Sequence, residues 1–90
     1  MPYIAPDKRP RLDNLIKDLY VEIQNLSEGE LNYIFSRLLW RIFHLSGSYK
    51  TLNMIVGVLD CVKFEFQQRK VVPYEEIKRI ENGDIKMDDL

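Results

Sequence analysis

The sequence is poor in the residues that build reactive sites. It holds one cysteine, one histidine and one tryptophan in 90 residues. The lone Cys61 can form no internal disulfide, and its isolation fits a reducing compartment. It is expected as a small buried apolar residue. His44 is the only imidazole, and no Cys or His pair stands at ligand spacing, so no metal site is expected. Nucleophilic catalysis would need a Ser or Cys beside a base and an orienting group, and no pattern demands one. The carboxylate pairs Glu75/Glu76 and Asp88/Asp89 are adjacent in sequence and do not face one another. Gly29, Gly47, Gly57 and Gly83 are scattered, which excludes a glycine-rich phosphate loop. The expectation is a protein that is not an enzyme, with no catalytic residue and no cofactor.

Long apolar runs are also missing. None approaches the roughly 20 residues that cross a bilayer, and Met1-Pro2-Tyr3-Ile4 is too short for a signal-peptide core. The chain is expected to be cytoplasmic and to bind no membrane. Charge of one sign is missing too. A net charge of -1 removes the attraction on which generic nucleic-acid binders rely.

What remains is an ordinary folded composition, 46% apolar and 30% charged, which excludes global disorder. The predicted organisation is one all-α domain over residues 1–90, a small three-to-four-helix bundle. Residues 1–11 form an extended arm, because Pro2, Pro6 and Pro10 interrupt any helix. The arm carries the densest basic cluster, Lys8, Arg9 and Arg11. Residues 12–82 form the helical core, and residues 83–90 an acidic tail. No internal repeat stands out.

Apolar spacing predicts a first helix over 14–25, capped by Asp13, with Leu12, Leu15, Ile16, Leu19, Ile23 and Leu26 on one stripe. A second helix is predicted over 28–45. Ser27 and Glu30 form a capping-box pattern at its start. Thr51 is the expected cap of a third helix over 52–70, apolar nearly all round. Val71-Val72-Pro73 then breaks the pattern, and a short fourth helix over 73–81 ends at Asn82-Gly83. Leu38, Ile42, Leu59 and Phe66 are the expected core.

The second helix is unusual. One face carries Leu31, Ile34, Phe35, Leu38, Ile42 and Leu45. The other carries Tyr33, Arg37, Trp40 and His44 at helical spacing, flanked by Arg41 and Phe43. Helices two and three each present two apolar faces, while only the arm and one short helix are available as cover. Trp, Tyr and Arg are enriched at interface hot spots. The expected consequence is a homo-oligomer, most simply a dimer, through surfaces that include Tyr33, Trp40 and Phe43 on helix two or Met54, Cys61 and Phe64 on helix three. The aromatic-basic face of helix two also suits an anionic small ligand, such as a nucleotide held between subunits.

One resemblance extends over Met1–Asp84. It is carried by Met1-Pro2-Tyr3-Ile4, Gly29-Glu30-Leu31-Asn32-Tyr33, Arg37-Leu38-Leu39, the block Asn53 to Phe66, Arg69, Val71 to Glu75, and Glu81-Asn82-Gly83-Asp84. Together these resemble a family of small uncharacterised bacteriophage and bacterial proteins, a domain of unknown function. The resemblance implies a phage or prophage accessory role, in the host cytoplasm if the chain is phage-encoded, and little more. It implies no activity and no catalytic residue. A separate expectation, from the residues, is a host or phage protein docked through the basic arm or the aromatic-basic face.

Overall fold

The computed structural model describes residues 3–86. Every regular element among them is helical: α1 (Arg9–Ile23), α2 (Glu28–Ser46), α3 (Tyr49–Phe66) and α4 (Val72–Asn82), with a 3-10 turn at Pro6–Lys8 and a π-helical turn at Gln67–Val71. The all-α class is therefore as expected. Backbone contacts group the chain into two units, Met1–Val58 and Leu59–Leu90.

In the first unit, α1 begins at Arg9, ahead of the expected start at Asn14, and Asp13 lies inside it. Pro10 causes the difference. It occupies the first turn, where its fixed φ is already helical and its missing N–H would have had no partner. Arg9 and Arg11 therefore belong to the helix, and the described part of the arm shrinks. What is left of it is tied down by Arg9, whose Nε donates to the Ile4 carbonyl at 3.0 Å. Met1 and Pro2 lie outside the described residues.

The link Gln24–Ser27 turns through Asn25, which has a φ of 65°. Asparagine is among the few non-glycine residues that tolerate this region. The predicted capping box then starts α2. The Glu30 N–H donates to Ser27 Oγ at 3.2 Å, and the Ser27 N–H donates to Glu30 Oε1 at 3.0 Å. The far end closes on Gly47, which takes the left-handed conformation at a φ of +66° and donates its N–H to the Phe43 carbonyl.

The corner between α2 and α3 is a hydroxyl cluster. Ser48, not Thr51, caps α3: its Oγ accepts the Thr51 N–H at 3.2 Å. Thr51 lies one turn inside the helix, where its Oγ1 donates to Ser46 Oγ at 2.7 Å and lies 3.0 Å from Ser48 Oγ. Thr51 and Ile55 are the buried residues of the described chain, each 9% exposed. Leu31, Ile34, Leu39 and Phe43 are half-buried.

Elsewhere the apolar faces are open. Leu12, Leu15, Ile16 and Leu19 on α1 are 38–61% exposed. The residues expected as core, Leu38, Ile42, Leu59 and Phe66, are exposed as well. So is Cys61, which was expected to be buried. Periodicity identified these faces, but nothing within their own unit covers them. No helix among the described residues is long and apolar enough to cross a membrane.

In the second unit the helix does not break at Val71-Val72-Pro73. It widens into a π turn, in which the Val72 N–H reaches the Gln67 carbonyl, and continues as α4. Pro73 accounts for this. It offers no N–H to the carbonyl one turn back and its ring crowds that carbonyl, and a widened turn relieves both. Gly83 ends α4 with a φ of +85°, as predicted. Of the predicted tail, residues 87–90 lie outside the described part.

The hydroxyl corner can be tested directly. Thr51→Val keeps the shape but leaves Ser46 and Ser48 without their shared partner. A loss of about 1 kcal/mol is expected, read as a lower urea midpoint. An unchanged midpoint would show that these hydroxyls contribute nothing.

Candidate functional site

The structure gathers five of the sequence-predicted residues on α2. Arg37 Nη1 donates to the Tyr33 hydroxyl at 3.2 Å, and its guanidinium sits 5.7 Å from the centroid of the same ring. The i, i+4 spacing makes this pair possible. It fixes Arg37 as a cation on an aromatic platform. One turn further, Arg37, Leu38, Trp40, Arg41 and His44 line an open groove of about 500 Å³. Trp40 is 70% exposed. Arg41 has no hydrogen bond or ion pair among the described residues. No carboxylate lines the groove. From Leu31 to Leu59 the chain contains no Asp or Glu at all, a signal present in the sequence that helical spacing alone did not expose.

The groove lies on one side of one helix. Alone it offers rings and guanidinium groups but no enclosure, and small-ligand sites bury most of their ligand. It suits a partner that brings its own surface and negative charge.

The basic trio does not join it. Lys8 ends the 3-10 turn, and Arg9 and Arg11 lie in the first turn of α1. Arg9 instead borders a second groove of about 480 Å³ with Tyr3, Ile4, Leu12, Asp13 and Ile16. There the arm lies alongside the apolar stripe of α1.

Sequence reasoning missed a third cluster, on α4. Arg79 pairs with Glu76 and reaches Asp84 at 3.4 Å, holding the chain after Gly83 against the helix. Lys78 pairs with Glu81 at 3.2 Å and lies 5.6 Å from the Tyr74 ring centroid. The i, i+3 spacing of Glu76 and Arg79 was the available clue. The Arg79 hydrogen bond, with its charge, lowers the Glu76 pKa below 4.5, and Glu76 in turn raises that of Arg79. The hydrogen bond from the Ser27 backbone lowers Glu30 in the same way. Among the described residues no three His, Cys, Asp or Glu side chains group as a metal site.

One comparison bears on identity. The family model described as domain of unknown function DUF6899 matches residues 1–85. The chain belongs to this family. No curated protein and no solved structure matches it. The DUF6899 assignment agrees with the resemblance to a domain of unknown function and carries no activity with it. The groove on α2 and the α4 clamp are therefore described by their own chemistry.

The clamp gives a pH test. Because the folded pKa of Glu76 is lowered, its contribution is present above the ordinary value of 4.5 and fades as pH falls through the folded value. In a carbon-detected NMR titration the Glu76 carboxyl should titrate below the ordinary value. Arg79→Gln should move it back up. A titration that ignores the substitution would mean that Arg79 does not hold Glu76 in solution.

Proposed function

We propose that this DUF6899 chain is a non-enzymatic helical module that works as a homo-oligomer. The observation that carries the reading is the exposure of its apolar faces. Thr51 and Ile55 alone are buried among the described residues, while Leu, Ile, Val and aromatic side chains on all four helices stand in water. Fully burying one such side chain stabilises by about 1.5–3 kcal/mol. A chain of this size cannot leave that contribution unused across four helices and remain folded alone. Contiguous apolar faces of this kind mark contact surfaces. A symmetric dimer is the commonest arrangement, since one patch serves both subunits.

The α2 groove gives the module its recognition chemistry. Trp40 is a large amphipathic anchor, and Arg37 and Arg41 offer planar cations that match carboxylates. The partner that fits is an acidic, partly apolar protein surface. A second reading keeps the same residues. If a subunit boundary closes over the groove, Arg37, Trp40, Arg41 and His44 would hold an anionic ring compound such as a nucleotide. The lining of the groove favours this reading and its openness in the single chain argues against it, so the protein-interaction reading stands first.

Light scattering at micromolar concentration tests the proposal. The native chain should show at least twice the mass of one chain, and Trp40→Glu should weaken the association. A native chain of monomer mass would overturn it. For the second reading, a nucleotide at about 100-fold excess over its Kd would add about 2.7 kcal/mol. A thermal-shift panel with no response removes that reading.

A further inference from the structure

The stripes of α1 and α2 share one spacing. Leu12, Leu15, Ile16, Leu19 and Ile23 on α1 correspond in order to Leu31, Ile34, Phe35, Leu38 and Ile42 on α2. Both stripes are largely exposed: Leu12, Leu15, Ile16 and Leu19 on one helix, Phe35, Leu38 and Ile42 on the other. Two helices joined by a link as short as Gln24–Ser27 ordinarily fold back antiparallel and cover each other. Here the first unit does not use that solution, and the charges give a reason.

Helical geometry places Arg11, Asp18 and Glu22 along one border of the α1 stripe. The same border of α2 carries Glu30, Arg37 and Arg41. In an antiparallel pair these two borders lie side by side. A fold-back fixed by the link sets Ile23 opposite Glu28. That register brings Glu22 to Glu30 and Arg11 to Arg41, so like charges meet at both ends of the pair. Sliding α1 along α2 by one heptad keeps the apolar stripes in phase. It sets Ile16 near Ile42 and Ile23 near Phe35. It also sets Glu22 beside Arg37 and Asp18 beside Arg41, opposite charges in both cases, and it separates the like-charged pairs. The chain's own link would have to be pulled nearly straight to allow this. It is instead a tight turn, with Asn25 at a φ of 65°. A second copy has no such tether.

We propose that α1 of each copy packs antiparallel on α2 of a second copy, one heptad out from the fold-back register, with Asp18 and Glu22 against Arg41 and Arg37. The exchange is reciprocal, so one two-fold contact covers both stripes of both copies. Asp18, Glu22 and Arg41 have no hydrogen bond or ion pair of their own among the described residues, and Arg37 donates to the Tyr33 hydroxyl. All four charges are available. This inference rests on the homo-oligomer proposed above and adds its partner element and register.

The test is a charge swap on the full chain, with mass followed by light scattering and helicity by circular dichroism. Two double variants are needed, Asp18→Lys with Glu22→Lys, and Arg37→Glu with Arg41→Glu. In each variant alone the exchanged contact sets like charges together. Each should self-associate at least about tenfold more weakly than the native chain. Mixed one to one, the acid-reversed α1 meets the base-reversed α2 and the remaining acidic α1 meets the remaining basic α2. The mixture should recover the native mass and helicity, even if each variant alone loses its fold. Either variant associating as tightly as the native chain would overturn the inference, and so would a mixture that fails to recover. A native chain of monomer mass would instead overturn the homo-oligomer itself, so the two failures are distinguishable.

Discussion

The exposed apolar faces of α1, α2 and α3 are the constraint on which the rest of the structure depends. Each helix is well specified by local chemistry. The capping box at Ser27 and Glu30, the left-handed Gly47 and the Ser48 cap satisfy helix-end groups that would otherwise go unbonded. Such devices contribute on the order of 1 kcal/mol apiece. Helices of this length are marginal in water on local terms alone, and most helical stability in proteins comes from packing an apolar face. Thr51 and Ile55 supply very little of that packing. On the homo-oligomer proposed above, a second copy supplies the missing stabilisation.

That constraint also gives meaning to the polar groups. Arg37 is held on Tyr33, Arg41 is free among the described residues, and no acid interrupts the chain between Glu30 and Asp60. A cationic, aromatic strip on an apolar helix is poor design for a solitary surface and good design for a border between subunits. The α4 cluster works differently. Its charges are paired within the helix and with Asp84, which makes it a self-contained end rather than a contact awaiting a partner.

Much of this was legible in the sequence, and the divisions are instructive. Ser27 and Gly83 could be assigned because capping is local chemistry. Spacing puts the start of α1 at Asn14 because a proline inside a helix breaks it, whereas Pro10 in the first turn is a helix former. The turn signal at Ser46-Gly47-Ser48 points to Thr51 as the cap of α3, whereas Ser48 closes that turn and is itself the cap. Val71-Val72-Pro73 reads as a break, whereas a π turn absorbs the hydrogen bond that Pro73 cannot make. The apolar faces were found correctly and their burial was not, because periodicity shows which residues share a side and is silent on what covers it. The aromatic-basic set on α2 came together as expected, whereas Lys8, Arg9 and Arg11 did not join it. The echo between α1 and α2 does not read as a repeat because its charges are inverted, with Asp18 and Glu22 standing where α2 has Arg37 and Arg41.

On the proposed homo-oligomer, folding and association are one process. The most direct measurement is the thermal midpoint as a function of protein concentration, followed by far-ultraviolet circular dichroism. If a second copy covers the apolar faces, the midpoint rises steadily with concentration and helicity falls on dilution, because the partner acts as a ligand for the folded state. A midpoint that stays fixed over a thousandfold range (roughly the span over which mass action would contribute about 4 kcal/mol), with full helicity at the lowest concentration, would contradict it.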